Sequence, residues 1–149
     1  MTPFYIAAQV IAWMAILGAW WKGGRIERLA AVVLACDYVV SGLVSRLPLP
    51  HAHEIAMGTE LLTTLIFLWL AFRGDRWWLM AAAAALVLCS LTGVVGMAHP
   101  GVSYYAAASA QIGFWIVAYL SLLAGVGERW LAGEQAVSRL DRWRAAGNL

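Results

Sequence analysis

The sequence predicts an all-α membrane protein: an up-down bundle of five transmembrane helices, N-terminus outside and C-terminus cytoplasmic, with a C-terminal amphipathic helix. Three observations predict it: an apolar composition, five apolar runs of spanning length, and basic residues confined to one side. Of 149 residues, 63% are hydrophobic and 12% charged, against about 45–50% and about 25% in an average soluble domain. Such a chain has too few polar side chains to cover itself in water.

A helix needs about 20 apolar residues to cross the hydrocarbon core. The runs fall at about 3–21, 29–47, 54–72, 77–98 and 104–125, which makes residues 1–126 the transmembrane domain and 127–149 a separate tail. Breakers and charges close the runs: Lys22 to Arg25 after the first, Pro48 and Pro50 after the second, Arg73 to Arg76 after the third, Pro100 and Gly101 after the fourth. Links this short make successive helices antiparallel.

The positive-inside rule sets the orientation. With five spans, Lys22, Arg25, Arg28, Arg73, Arg76, Arg129, Arg139, Arg142 and Arg144 fall on one side and only Arg46 on the other. Four spans would break that segregation. Trp20, Trp21, Trp77, Trp78 and Trp130 fall at the cytoplasmic boundary, and Tyr5, Tyr104 and Tyr105 at the outer one. Amphipathic rings favour both levels. The first run lacks the preceding basic residues and the cleavage site of a signal peptide.

In the tail, Trp130, Ala136, Val137, Leu140 and Trp143 share one helical face, and Arg139 and Arg142 point away from it. This pattern predicts an amphipathic helix on the cytoplasmic leaflet. A frayed basic end and a face docked on a partner protein are the alternatives.

Small residues predict close helix packing. The fourth run has Ala81 and Ala85, then Gly93 and Gly96; the fifth has Ala106, Ala110 and Gly113, with Ser109 beside them. Cys36 and Cys89 both fall inside apolar runs and read as small packing residues.

Charged groups inside a span are costly, face the bundle interior and are candidates for function. Asp37 sits in the middle of the second run, with Ser41 and Ser45 at steps of four on its face. Glu60 lies about two turns into the third run. Antiparallel packing puts the two acids at similar depth, and two close buried carboxyls do not both ionise. Thr92 and Gln111 complete the predicted polar cluster. It either binds a proton, an ion or a ligand headgroup, or it fixes helix register through hydrogen bonds.

All three histidines map to the outer side: His51 and His53 before the third run, His99 after the fourth. With Met57, Met97 and Glu54 they are weak candidates for copper or another transition metal, or for axial haem ligands. Their spacing fits no zinc pattern. Three interfacial histidines without a ligand are the plainer reading. There is no phosphate loop, nucleophile elbow or zinc-protease helix, and no basic stretch suited to nucleic acid.

An acid in the middle of the second run (Asp37), an acid early in the third (Glu60) and a charged turn into an aromatic pair (Arg73, Gly74, Asp75, Arg76, Trp77, Trp78) resemble a group of small, uncharacterised multi-pass inner-membrane proteins of alphaproteobacteria. That group tends to have a His in its fourth helix, which this chain lacks before His99. The resemblance implies a bacterial inner membrane and no activity. The size and five spans are also similar to those of tryptophan-rich translocator-type sensory proteins, whose motifs are absent here.

The expectation from sequence is therefore a non-enzymatic inner-membrane protein, in contact with lipid and packed against other membrane proteins or itself as an accessory or assembly subunit. No cofactor is expected on this reading. A haem- or metal-binding module on the outer histidines is the first alternative. A proton- or solute-coupled transporter using Asp37 and Glu60 is the second.

Overall fold

A computed structural model describes residues 3–44, 46–47, 51–74, 76–98, 101 and 103–133. Five helices make up the described secondary structure: α1 (Pro3–Lys22), α2 (Arg25–Val44), α3 (Ala52–Arg73), α4 (Trp77–Ala98) and α5 (Tyr104–Leu131). Three stretches are long and apolar enough to cross a membrane: Glu54–Arg73, Trp77–Ala98 and Tyr105–Leu131. Of the other two helices, α1 ends on Trp20, Trp21 and Lys22, and α2 carries Arg25, Glu27, Arg28 and Asp37.

Each helix packs on the one before it, α1 closes against α5, and α2 touches α5 across the ring. Large apolar side chains cover the outside, with Phe72 at 89% and Trp21 at 81% exposed. A bundle apolar on its outer face suits a lipid environment, where no water drives those side chains inward.

Two helices depart from the boundaries read in the sequence. α2 begins four residues early, at Arg25, and ends at Val44. Its first turn takes in Arg25, Glu27 and Arg28, which an apolar window rejects. Only Gly23 and Gly24 are left to join α1 to α2, and both are buried. A Cβ has no room at Gly23, and one at Gly24 would require the Arg129 guanidinium to move. A Cβ on Gly23 would lie 2.2 Å from the Ala19 carbonyl oxygen, and one on Gly24 would lie 2.0 Å from Arg129 Nη1.

α5 runs past the expected break at residue 125 to Leu131, for 28 residues, or about 42 Å. Contacts with two other helices hold the extension. Trp77 Nε1 donates to Glu128 Oε2 at 2.9 Å, and Arg129 Nη1 lies 3.7 Å from Glu27 Oε2. Gly133 follows the helix at φ 73°, a conformation glycine adopts without Cβ strain. Trp130 belongs to α5 and is exposed. The expected tail positions Arg139, Leu140, Arg142 and Trp143 lie outside the described residues.

The apolar core fills only half of the bundle. It is built from Ala15 and Ala19 of α1, Ala30 and Leu34 of α2, Phe67 of α3, Trp78 and Leu86 of α4, and Ala118 and Leu122 of α5. All of these lie toward the end that carries Lys22, Arg25, Arg73 and Arg129, here called the basic end. Trp78, wholly buried, packs on Gly125, where an added Cβ would lie 2.5 Å from the indole.

The small residues predicted to join α4 and α5 do so with α5 turned by one position. A Cβ on Gly96 would meet Ala107 Cβ at 3.2 Å, and one on Gly93 would meet Gln111 Nε2 at 3.0 Å. Ala106 and Ser109 are exposed instead, and Gly113 has open space beside it. Sequence spacing fixes which residues share a helical face but leaves the rotation of that face toward its neighbour free.

Candidate functional site

At the end opposite the basic one, the helices stand apart around an open cavity of about 820 Å³. Its polar lining includes Asp37, Ser41, Glu60 and Gln111, four of the five residues predicted to cluster. Ser45, predicted on the same stripe, lies outside the described residues. Thr92 is the exception: its Oγ1 donates to the Leu88 carbonyl of its own helix at 2.7 Å, and it does not line the cavity.

Asp37 is 6% exposed and sits where the core gives way to the cavity. Thr63 Oγ1 of α3 donates to its Oδ1 at 3.3 Å, and Thr59 also faces it. Glu60 lies on the next turn of α3, facing Cys89 and Ser90 of α4. Its Oε1 is buried with no hydrogen-bond partner among the described residues. An unpartnered buried oxygen of this kind costs free energy unless a proton, ion or ligand satisfies it.

A polar layer below the two acids ties the helices together. Thr64 Oγ1 lies 3.0 Å from Ser90 Oγ and 2.9 Å from the Glu60 carbonyl oxygen. Cys89 Sγ contacts the Gln111 carbonyl oxygen at 3.7 Å. Ser90 therefore has the role assigned to Thr92 from sequence. Two residues along a helix amount to about 200° of rotation, enough to move a hydroxyl from the interior to the outside.

Aromatic and polar residues that the sequence did not single out complete the walls. Trp115 and Tyr119 of α5 stack at a tilt, ring centroids 5.8 Å apart, and both line the cavity. Tyr38 OH donates to Gln9 Oε1, joining α2 to α1. Trp13 meets the edge of the Tyr38 ring at 5.7 Å. Gln9 is a polar residue within an apolar helix, the same signal that marked Asp37, and it leads to this contact. Arg46, the one basic residue expected on this side, lines the cavity too.

The metal candidates separate. Met57 and Met97 both line the cavity. His51 instead lies on the exposed start of α3, its Nδ1 2.7 Å from Glu54 Oε2. The His53 side chain and His99 lie outside the described residues. Among the described residues, no three His, Cys, Asp or Glu side chains are grouped to hold a metal ion.

The basic end holds a second buried polar pair that local sequence patterns do not reveal. Glu27 is 1% exposed and faces Arg129 from one hundred residues away in the chain. Together with Trp78 on Gly125, the pair closes that end of the bundle. The arrangement thus gives a cavity with acids at its floor, aromatic walls and an arginine in its lining, open at one end and blocked at the other. No family model, curated protein or solved structure matches the chain.

Proposed function

We propose that all five helices cross a bacterial inner membrane, with the basic end in the cytoplasm, and that the outer half binds a small solute bearing a cationic group. The cavity carries this reading: it gathers Asp37, Glu60 and Gln111 from three helices. A primary amine between the two carboxyls supplies the compensating charge and gives Glu60 Oε1 a partner. The closed basic half resembles a carrier caught open to the outside, so coupled transport by Asp37 and Glu60 belongs to the same reading. The orientation draws on the positions of Lys22, Arg25, Arg28, Arg73, Arg76 and Arg129.

Calorimetric titration of the purified protein with ethanolamine tests the binding. Wild type is expected to bind, and Asp37→Asn with Glu60→Gln to lose at least about tenfold in affinity, as befits a charge-assisted hydrogen bond. No heat from wild type, or equal affinity in the double variant, overturns it. For the orientation, a cysteine at Ser103 should react with an impermeant maleimide from outside intact cells, and one at Arg76 should not.

A second reading, the accessory or assembly subunit, is favoured by one observation. Ala106 and Ser109 of α5 face away from their own bundle, leaving a small-residue surface of the kind membrane helices use to approach each other. Co-purification under gentle detergent tests it. A chain recovered alone, with every membrane complex intact after its deletion, would sink the idea.

A further inference from the structure

The cavity has a neighbour. Along the outer face of α1 runs a groove of about 520 Å³, floored by Ile6, Val10, Trp13, Met14 and Leu17. All five are exposed. Cavity and groove share Tyr5, Gln9, Tyr38 and Arg46 as a common wall. The Tyr38–Gln9 hydrogen bond is therefore the threshold between a polar chamber and an apolar channel facing the membrane.

Length and charge together specify what fits. From Ile6 to Leu17 the groove extends about 16 Å along the helix, roughly half of the ~30 Å hydrocarbon core and so the depth of one leaflet. Apart from the shared wall of Tyr5, Gln9, Tyr38 and Arg46, its lining is apolar. The chamber beside it offers carboxyls at depth, at Asp37 and Glu60, and a guanidinium nearer the opening, at Arg46. The complementary ligand has an amine at its tip, an anionic group behind the amine, and an alkyl chain behind that.

We propose that the site takes a zwitterionic lipid of the outer leaflet, its amine against Asp37 and Glu60, its phosphate at Arg46 and one acyl chain in the α1 groove, entering sideways past Tyr38 and Gln9. This rests on the orientation and the cation-binding cavity proposed above. It adds that the ligand comes from the bilayer. α1 and α2 are suited to part there: Gly23 and Gly24 pack them tightly at the basic end, while toward the other end, among the described residues, Tyr38 meets Gln9 and Trp13.

Native mass spectrometry of the detergent-purified chain tests it. The probes are lysophosphatidylethanolamine, lysophosphatidylglycerol of the same acyl chain, and soluble O-phosphoethanolamine. The amine lipid is expected to be retained one to one, at least about tenfold better than the glycerol lipid. Val10→Trp changes an exposed residue and fills the groove. It should lose about tenfold for the amine lipid while binding O-phosphoethanolamine as wild type does. Asp37→Asn should weaken both amine ligands. Equal retention of the two lipids, or undiminished retention by Val10→Trp, overturns the lipid assignment. If wild type holds O-phosphoethanolamine but not the lipid, the cavity reading stands and the sideways entry falls. If neither is held, both fall.

Discussion

At the basic end of the bundle Trp78, Leu79 and Leu122 are closed off from their surroundings, while at the other end the same five helices stand around a cavity of about 820 Å³. The first half is packed to the limit of its side chains, with glycine where a Cβ has no room. In the second half Gly93 and Gly96 still pack closely on α5, but a Cβ on Gly58 would meet nothing within 4 Å. Tight packing and the open cavity lie in separate halves of one bundle, so each can be changed with little effect on the other.

That separation can be broken most directly at Glu27. Glu27→Ala removes the carboxylate that lies 3.7 Å from Arg129 in the closed half, and losing a contact to a charged group costs about 1.5–3 kcal/mol. A large fall in the thermal midpoint in detergent is expected, with ethanolamine affinity unchanged in the fraction that stays folded. Gly125→Ala comes next. The new methyl meets an indole that cannot retreat, and overpacking of this kind costs about 1–3 kcal/mol. Chemical denaturation would measure it; an unchanged midpoint would show that the basic half is looser than its geometry implies.

Changes at the open end should be smaller in stability. Asp37→Asn keeps the size of the side chain and an acceptor for Thr63, so a loss of about 1 kcal/mol or less is expected beside the binding defect. A similarly small effect is expected at the basic end from Trp77→Phe, which removes one exposed hydrogen bond to Glu128 and should cost about 0.5–1 kcal/mol. Gly58→Ala should add about 0.4–1 kcal/mol by restricting the unfolded chain, since its methyl enters open space. A destabilised Gly58→Ala would mean that something packs on that face of α3.

Sequence made part of this division legible. α4 begins and ends at the predicted residues because an uninterrupted apolar run lies between a charged turn and a proline. The shared depth of Asp37 and Glu60 followed from antiparallel neighbours alone. The start of α2 did not follow, since Glu27 is tolerated inside the bundle only because Arg129 of α5 reaches it, a pairing no local window contains. Nor did the exchange of Ser90 for Thr92, or of Ala107 for Ala106. Each depends on helix rotation, which packing decides. Gln9 carried a readable signal as a polar residue in an apolar run, but its partner Tyr38 does not stand out from other interfacial aromatics.

The Glu27–Arg129 pair also bears on how the chain is made. α1, α2 and the two glycines between them are synthesised before α5, so the hairpin they form first carries Glu27 without the Arg129 it faces in the finished bundle. Its arginine is synthesised only after α3, α4 and most of α5. The first hairpin therefore completes its fold last, when the end of α5 arrives over Gly24. Until then Glu27 lacks the Arg129 contact it has in the folded bundle. Chains truncated ahead of Arg129 should leave the first hairpin open to limited proteolysis, and chains that include it should protect it.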